Sequence, residues 1–201
     1  MKLWPQKRWK RALLVVFVAV IVVVVAVGSI GVYVSSAVNK PVVSGIDVVN
    51  PVGNKTALVV YQAGLTAFER DTSYAFANGL TANGWKVEIT TASSQAPSNL
   101  SKYNLLVLAF PIYDGPGTVI VRYLDSVENL HGMNVVIIAL GGFNSPGTTI
   151  NTVTQDVHAA NGTVLTSLTL NSSITPFGFA PGQGSGSPAD VARQAGAQIH
   201  P

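Results

Sequence analysis

The sequence predicts an α/β domain built on a doubly wound, five-stranded parallel sheet of order 2-1-3-4-5, preceded by one N-terminal transmembrane helix. Three observations predict this. The run from about Leu13 to Val34, roughly 22 residues, carries no charge. Three later runs, Ala57–Tyr61, Leu105–Phe110 and Asn134–Leu140, are apolar almost throughout, as expected of strands covered on both faces. Segments with helical spacing stand between them, and such βα alternation implies a parallel sheet with helices on both sides and right-handed crossovers. Five strands at this spacing fit the doubly wound order.

Residues 1–12 read as a basic cytoplasmic tail, 13–35 as the transmembrane helix, 36–55 as a linker and 56–201 as the folded domain. The chain of 201 residues is 48% hydrophobic and only 10% charged, against about a quarter charged in ordinary soluble domains. At about 1.5 Å per residue the uncharged run crosses a hydrocarbon core of roughly 30 Å. Valine is a poor helix former in water, but a bilayer leaves the backbone only intrahelical partners. Trp4, Trp9 and Tyr33 flank the run, where aromatic rings favour the interface. Ser35-Ser36-Ala37 offers a small-residue cleavage site. The run exceeds a signal-peptide h-region of about 7–15 residues, so an uncleaved anchor is the better reading.

Lys2, Lys7, Arg8, Lys10 and Arg11 precede the span, and only Lys40 follows it closely. The positive-inside rule then places the N-terminus in the cytoplasm and the domain outside, on a cell membrane crossed once. Of the 12 basic residues, five lie in this tail; the remainder of the chain has seven basic and nine acidic residues. The net charge of +3 is therefore a topology signal, and no nucleic-acid partner is expected. The partner expected of residues 13–35 is the lipid bilayer. The absence of cysteine excludes disulfides and thiol chemistry. Sequons begin at Asn54, Asn99, Asn161 and Asn171, compatible with an outside location.

In the linker, Val38–Asn54 has no helical period and suggests one edge strand at Ile46–Val49. Strand Ala57–Tyr61 follows, then a helix over Asp71–Asn83 with Tyr74, Ala75, Ala77 and Leu80 near helical spacing. Asn83-Gly84 ends it, because glycine takes the left-handed C′ position. Trp85–Ile89 alternates and predicts a strand covered less completely. After Leu105–Phe110, a helix over Thr118–Leu130 places Val121, Leu124, Val127 and Leu130 on one face. After Asn134–Leu140, a weak helix over Thr149–Ala160 leads to strand Thr163–Leu170. A Gly/Pro/Ser loop then reaches a last helix over Pro188–Ile199, with Ser187 as its cap and Pro188 in its first position.

A doubly wound sheet binds ligands outside the carboxyl ends of its strands, at the switch between the first and third. Three loops lie there: Gln62–Arg70, Pro111–Gly117 and Gly141–Gly147. The first, Gln62-Ala63-Gly64-Leu65-Thr66, leads into a helix N-terminus, whose N–H groups favour an anion; Thr66 and Thr72 add hydroxyls. An ordinary capped turn reads the same residues equally well. In the second, Tyr113 beside glycine and proline offers a flat face, or simply packs on the domain edge. In the third, Gly141-Gly142 permits close backbone approach, or only a turn with positive φ.

These residues carry a resemblance. From about 56 to 142 the chain resembles flavodoxin and the flavodoxin-like proteins. The points of likeness are Tyr61 before a Gly/Thr loop and helix, Asn99-Leu100-Ser101-Lys102-Tyr103 leading into the third strand, Phe110-Pro111-Ile112-Tyr113 closing it, and Gly141-Gly142 after the fourth. The resemblance implies non-covalent flavin mononucleotide (FMN). Gln62, Ala63, Gly64, Leu65, Thr66 and Ala67 would hold its phosphate. Pro111, Ile112, Tyr113, Gly115, Gly141, Gly142 and Phe143 would line its ring. The family's loop ends in Thr-Gly-x-Thr; here Leu65-Thr66-Ala67-Phe68 puts Ala67 in the glycine's place, with one extra residue before the helix. Glu69 and Asp71 suit a helix N-terminus but compete with a phosphate dianion for it, and Arg70 offsets them.

Three functions are compatible with these residues: a membrane-anchored FMN electron carrier with a redox partner protein, an FMN-dependent quinone or nitro reductase, and a flavodoxin-fold domain without cofactor serving as a binding or structural module. His131, His158 and His200 read as surface residues, and no catalytic residue or metal ligand is expected.

Overall fold

A computed structural model describes residues 6–112, 118–141, 146–171, 173–175, 178–180 and 187–201. The chain divides into two compact units, Met1–Ala37 and Val38–Pro201.

The described residues of the first unit belong to one helix, α1, which runs over Gln6–Val38 (33 residues) and so ends one residue into the second. Within it Ala12–Ser29 has a mean hydropathy of 3.2 and no buried residue. The helix is long and apolar enough to cross a membrane. Its polar Ser29 is satisfied internally, the Oγ donating to the Val25 carbonyl at 2.7 Å.

In the second unit the strands are β1 (Asp47–Asn50), β2 (Thr56–Tyr61), β3 (Lys86–Thr91), β4 (Leu105–Pro111), β5 (Asn134–Leu140) and β6 (Thr163–Leu170). They form one sheet in the order β1-β3-β2-β4-β5-β6. The five strands β2 to β6 are parallel, with one register shift between Val135 and Val136 against β6, and reproduce the expected 2-1-3-4-5 order. The sheet has six strands and not five, because the edge strand suggested within the linker at Ile46–Val49 is present as β1 and pairs antiparallel to β3. The cause lies in side-chain bonding along the β3 edge. The Ser44 amide donates to Thr91 Oγ1 at 3.0 Å, and the Thr91 amide donates to Ser44 Oγ at 3.1 Å. After a bulge between Val48 and Asn50, the Asn50 amide group donates to the Val52 and Trp85 carbonyls.

Helices α2 (Phe68–Ala82), α3 (Thr118–Ser126), α4 (Pro146–Ala159) and α5 (Pro188–Gly196) complete the unit, with a small hairpin of β7 (Ser173–Thr175) and β8 (Gly178–Ala180) inside the expected Gly/Pro/Ser loop. Helix α3 stops short of Leu130 because Ser126 Oγ donates to the Tyr123 carbonyl and the Val127 amide turns back to Leu124. Val127 and Leu130 stay buried in the turn that follows. Helix α5 begins in a capping box: the Asp190 amide donates to Ser187 Oγ at 3.2 Å, and the Ser187 amide donates to Asp190 Oδ2 at 3.3 Å.

Alternate side chains of the central strands feed two cores. Leu58, Val60, Leu106, Leu108, Ile137 and Ala139 pack with α3 and α4 residues such as Ile120, Leu124 and Val157. Val59, Val107, Ile138 and Leu140 pack with Phe76 and Leu80 of α2 and Ala192 of α5. Burying Phe76 or Leu80 contributes roughly 1.5–3 kcal/mol each. Helices α2 and α5 meet at two glycines. A Cβ on Gly79 would lie 2.1 Å from the Arg193 carbonyl oxygen, and one on Gly196 would lie 2.3 Å from that of Phe76. Trp85 Nε1 and Asn83 Nδ2 donate to the Ile199 carbonyl and hold the chain end beside β3.

Strand β3 is covered more completely than its alternating sequence suggests. Glu88 is only 5% exposed. Its carboxylate accepts from Lys102 Nζ at 2.8 Å and Tyr103 Oη at 2.7 Å, with Lys86 Nζ at 3.6 Å. Burial opposes ionisation of Glu88, but the bonds from Lys102 and Tyr103 and the two lysine charges outweigh it and hold the carboxyl below its ordinary range.

Two predictions follow from this packing. Gly79→Ala overlaps backbone that cannot yield and should cost about 1–3 kcal/mol in urea unfolding. The depressed Glu88 carboxyl stabilises the fold above its unfolded value near 4.5, and that stability is lost as pH falls through the lower folded value. Glu88→Gln should lower stability at neutral pH and flatten its dependence on pH in the acid range, measured by thermal unfolding.

Candidate functional site

The carboxyl ends of β2, β4 and β5 lie side by side, because Tyr61 pairs with Ala109 and Pro111 with Leu140. Three loops leave from this edge. Gln62 continues the ladder, its amide donating to the Ala109 carbonyl at 2.8 Å. The Ile112 amide donates to Leu140 at 2.7 Å, and the Gly141 amide donates to Leu170 at 3.0 Å. The structure thus brings the described residues of the three loops to one edge. Tyr113, Gly115, Gly142 and Phe143, expected to line a planar ring, lie outside the described residues.

The expected site residues differ in accessibility. Gln62, Pro111 and Ile112 are buried and act as supports beneath the edge. Ala63 and Gly64 are half-buried, while Leu65, Thr66 and Ala67 are exposed. Gly141 has φ 120°, and a Cβ there would stand 3.1 Å from the Ile112 carbonyl oxygen. Its lack of a side chain thus serves the backbone turn itself.

The first loop carries the main local charge. Thr66 Oγ1 accepts from the Phe68 amide at 3.2 Å, a local turn just before the helix, whose N-cap is Ala67. Three residues on, Glu69 folds back. Thr66 Oγ1 donates to its Oε2 at 3.3 Å, and the residue is only 4% exposed. A Cβ on Gly64 would fall 2.1 Å from the Glu69 carboxyl carbon and 2.2 and 2.4 Å from its two oxygens. The glycine that permits close approach is therefore Gly64, three residues before the position that the motif assigns, and what approaches it is the chain's own carboxylate. Thr66-Ala67-Phe68-Glu69 has the spacing of a capping box, but helix α2 is capped at Ala67 without a side-chain bond.

The other charges at this end of α2 turn outward. Arg70 pairs with Asp71 at 3.0 Å, both well exposed. Thr72, a hydroxyl expected at the site, is buried in the helix. Tyr74 Oη donates to Asp47 Oδ2 of β1 at 2.9 Å, and the Tyr74 ring stands edge-on to Tyr61 with centroids 6.4 Å apart. Burial, then the Asp47 hydrogen bond, push the Tyr74 hydroxyl up to about 12. Three carboxylates and one guanidinium therefore gather around the first turns of α2 among the described residues.

The resemblance would set an FMN phosphate against the loop Gln62–Ala67, where the Glu69 carboxyl group already stands over Gly64. A like charge held at about 4 Å would cost on the order of 4 kcal/mol near a protein surface. Among the described residues no cluster of three or more metal-ligating side chains occurs, and His131, His158 and His200 are exposed. A separate hollow of about 1060 Å³ lies at the opposite, amino end of β4 and β5, lined by Asn99, Asn104, Glu128, Asn129, His131 and Asn134.

No protein-family model and no curated protein sequence matches this chain. Solved structures do. A flavodoxin from the domain Archaea superposes with a TM-score of 0.55 at 12% identity, covering 72% of this chain and 95% of that one. The two-electron-reduced flavodoxin of Megasphaera elsdenii gives 0.55 at 16% identity, over 71% of this chain and 99% of its own. Oxidised Flavodoxin 2 from Bacillus cereus gives 0.53 at 16% identity, over 71% and 94%. The domain has a flavodoxin-like fold.

The contact between Gly64 and Glu69 is testable by itself. Gly64→Ala should expel the carboxyl group and cost about 1.5–3 kcal/mol, the range for losing a hydrogen bond to a charged group such as that from Thr66. In a Glu69→Ala background the same change should cost almost nothing, so a double-mutant cycle in urea should return most of the loss as coupling.

Proposed function

We propose that this chain is a membrane-anchored flavodoxin-like protein that binds a flavin and acts in electron transfer. The anchor is α1, inserted with its basic end in the cytoplasm and the domain outside. FMN is the flavin that the resemblance implies, with Gln62–Ala67 at its phosphate end and Pro111–Gly115 and Gly141–Phe143 around its ring. The bound flavin would supply one- and two-electron redox chemistry. The chain's part would be to position the ring and present its edge to a redox partner protein.

The observation that carries this reading is the meeting of three loops at the carboxyl edge of β2, β4 and β5, where a doubly wound sheet takes its ligand. The buried Glu69 carboxylate favours a second reading, in which the same fold serves as a binding or structural module without cofactor.

The test uses the full chain in lipid nanodiscs, titrated separately with FMN and riboflavin and followed by quenching of flavin fluorescence. Saturable binding of either flavin at micromolar concentration or below, about −8 kcal/mol or better, weakened at least tenfold by Tyr113→Ala, supports the redox reading. No binding of either by a folded protein leaves the module. Nicotinamide oxidation by the flavin-loaded chain alone would point instead to a quinone or nitro reductase. A reporter on the C-terminus reads the orientation.

A further inference from the structure

We propose that Glu69 is a built-in anion: its carboxylate fills the phosphate position of the first loop, so the loop excludes phosphate. Resting on the flavin reading above, a flavin admitted here is of the phosphate-free, riboflavin class in preference to FMN.

Four observations converge on this. The Glu69 carboxylate is nearly inaccessible to water although it belongs to the first turn of a helix, where carboxylates ordinarily face solvent. It lies in the space that the missing Gly64 side chain leaves open, inside the first loop. Thr66 spends its hydroxyl on the same arrangement, accepting from the Phe68 amide and donating to Glu69 Oε2. Among the described residues of this turn the one cation, Arg70, is paired with Asp71 and exposed. A helix N-terminus favours one negative charge, and here the chain supplies it four residues beyond the loop glycine's neighbour Leu65.

The ligand end presented to this loop is then uncharged. Hydroxyl groups, such as those of a ribityl chain, can meet a carboxylate as donors, whereas a phosphate meets it as a like charge. Glu69 is thus a specificity-determining residue that sets which form of a ligand enters.

The experiment compares the full chain in nanodiscs with Glu69→Gln and Glu69→Ala. Thermal unfolding is followed in inorganic phosphate and in chloride at equal ionic strength. The same proteins are titrated with riboflavin and FMN. The native chain should unfold at the same temperature in both salts. The two variants should gain a phosphate-dependent rise of roughly 2–4 °C at concentrations several times their Kd. Riboflavin should bind the native chain at least tenfold more tightly than FMN, and Glu69→Gln should remove or reverse that preference. Phosphate stabilising the native chain as much as the variants, phosphate stabilising none of them, or tenfold tighter FMN binding by the native chain would each overturn the proposal. A phosphate response confined to the variants, with no flavin bound by any form, would uphold the built-in anion and remove the flavin reading alone.

Discussion

Strands β2, β4 and β5 offer water almost nothing on either face, and the rest of the domain is arranged around that constraint. Leu58 and Val60 point one way, Val59 and Tyr61 the other, and all are buried. A sheet of this kind is stable only when both faces are covered, and parallel strands need crossovers long enough to supply the cover. The layers of α3 with α4 and of α2 with α5 meet that demand. The same geometry sends each crossover out from the carboxyl edge, so the loops that begin these crossovers assemble there as a consequence of covering the sheet.

The central strands were legible because their composition admits one environment. Ala57–Tyr61 and Leu105–Phe110 have no polar face to expose, so period and length sufficed to place them. The edges were harder to read. An edge strand was expected at Ile46–Val49 and lies at Asp47–Asn50, but its partner was not legible, because the Ser44 and Thr91 bonds beside it join residues 47 positions apart. Glu88 made β3 look half-solvated, yet Lys102 and Tyr103, distant in sequence, satisfy it inside the fold. Helix α3 ended early for a local reason, a serine bonded to the preceding turn, whose apolar continuation disguised the stop.

At the candidate site, residue chemistry could be read but not direction. Glu69 and Asp71 both suit the start of a helix and both oppose a phosphate. The structure separates them: Glu69 turns into the loop over Gly64, and Asp71 turns out to Arg70. Loop composition alone does not distinguish a loop that awaits an anion from one that has already enclosed its own. The likeness to flavodoxins concerns the path of the backbone, and at the first loop this chain departs from what that path would otherwise suggest.

The contact of α2 with α5 also bears on the order in which the protein can be made. Helix α2 leaves the ribosome well before the surface it packs on, which is opposite Gly196 of α5. Until α5 and Ile199 emerge, Phe76 and Leu80 lack part of their cover, and Trp85 lacks the carbonyl of Ile199. One layer of the domain therefore closes only once α5 has been made. A ribosome stalled before α5 would hold a chain with its sheet and one layer made and an open apolar face, the kind of intermediate that chaperones retain.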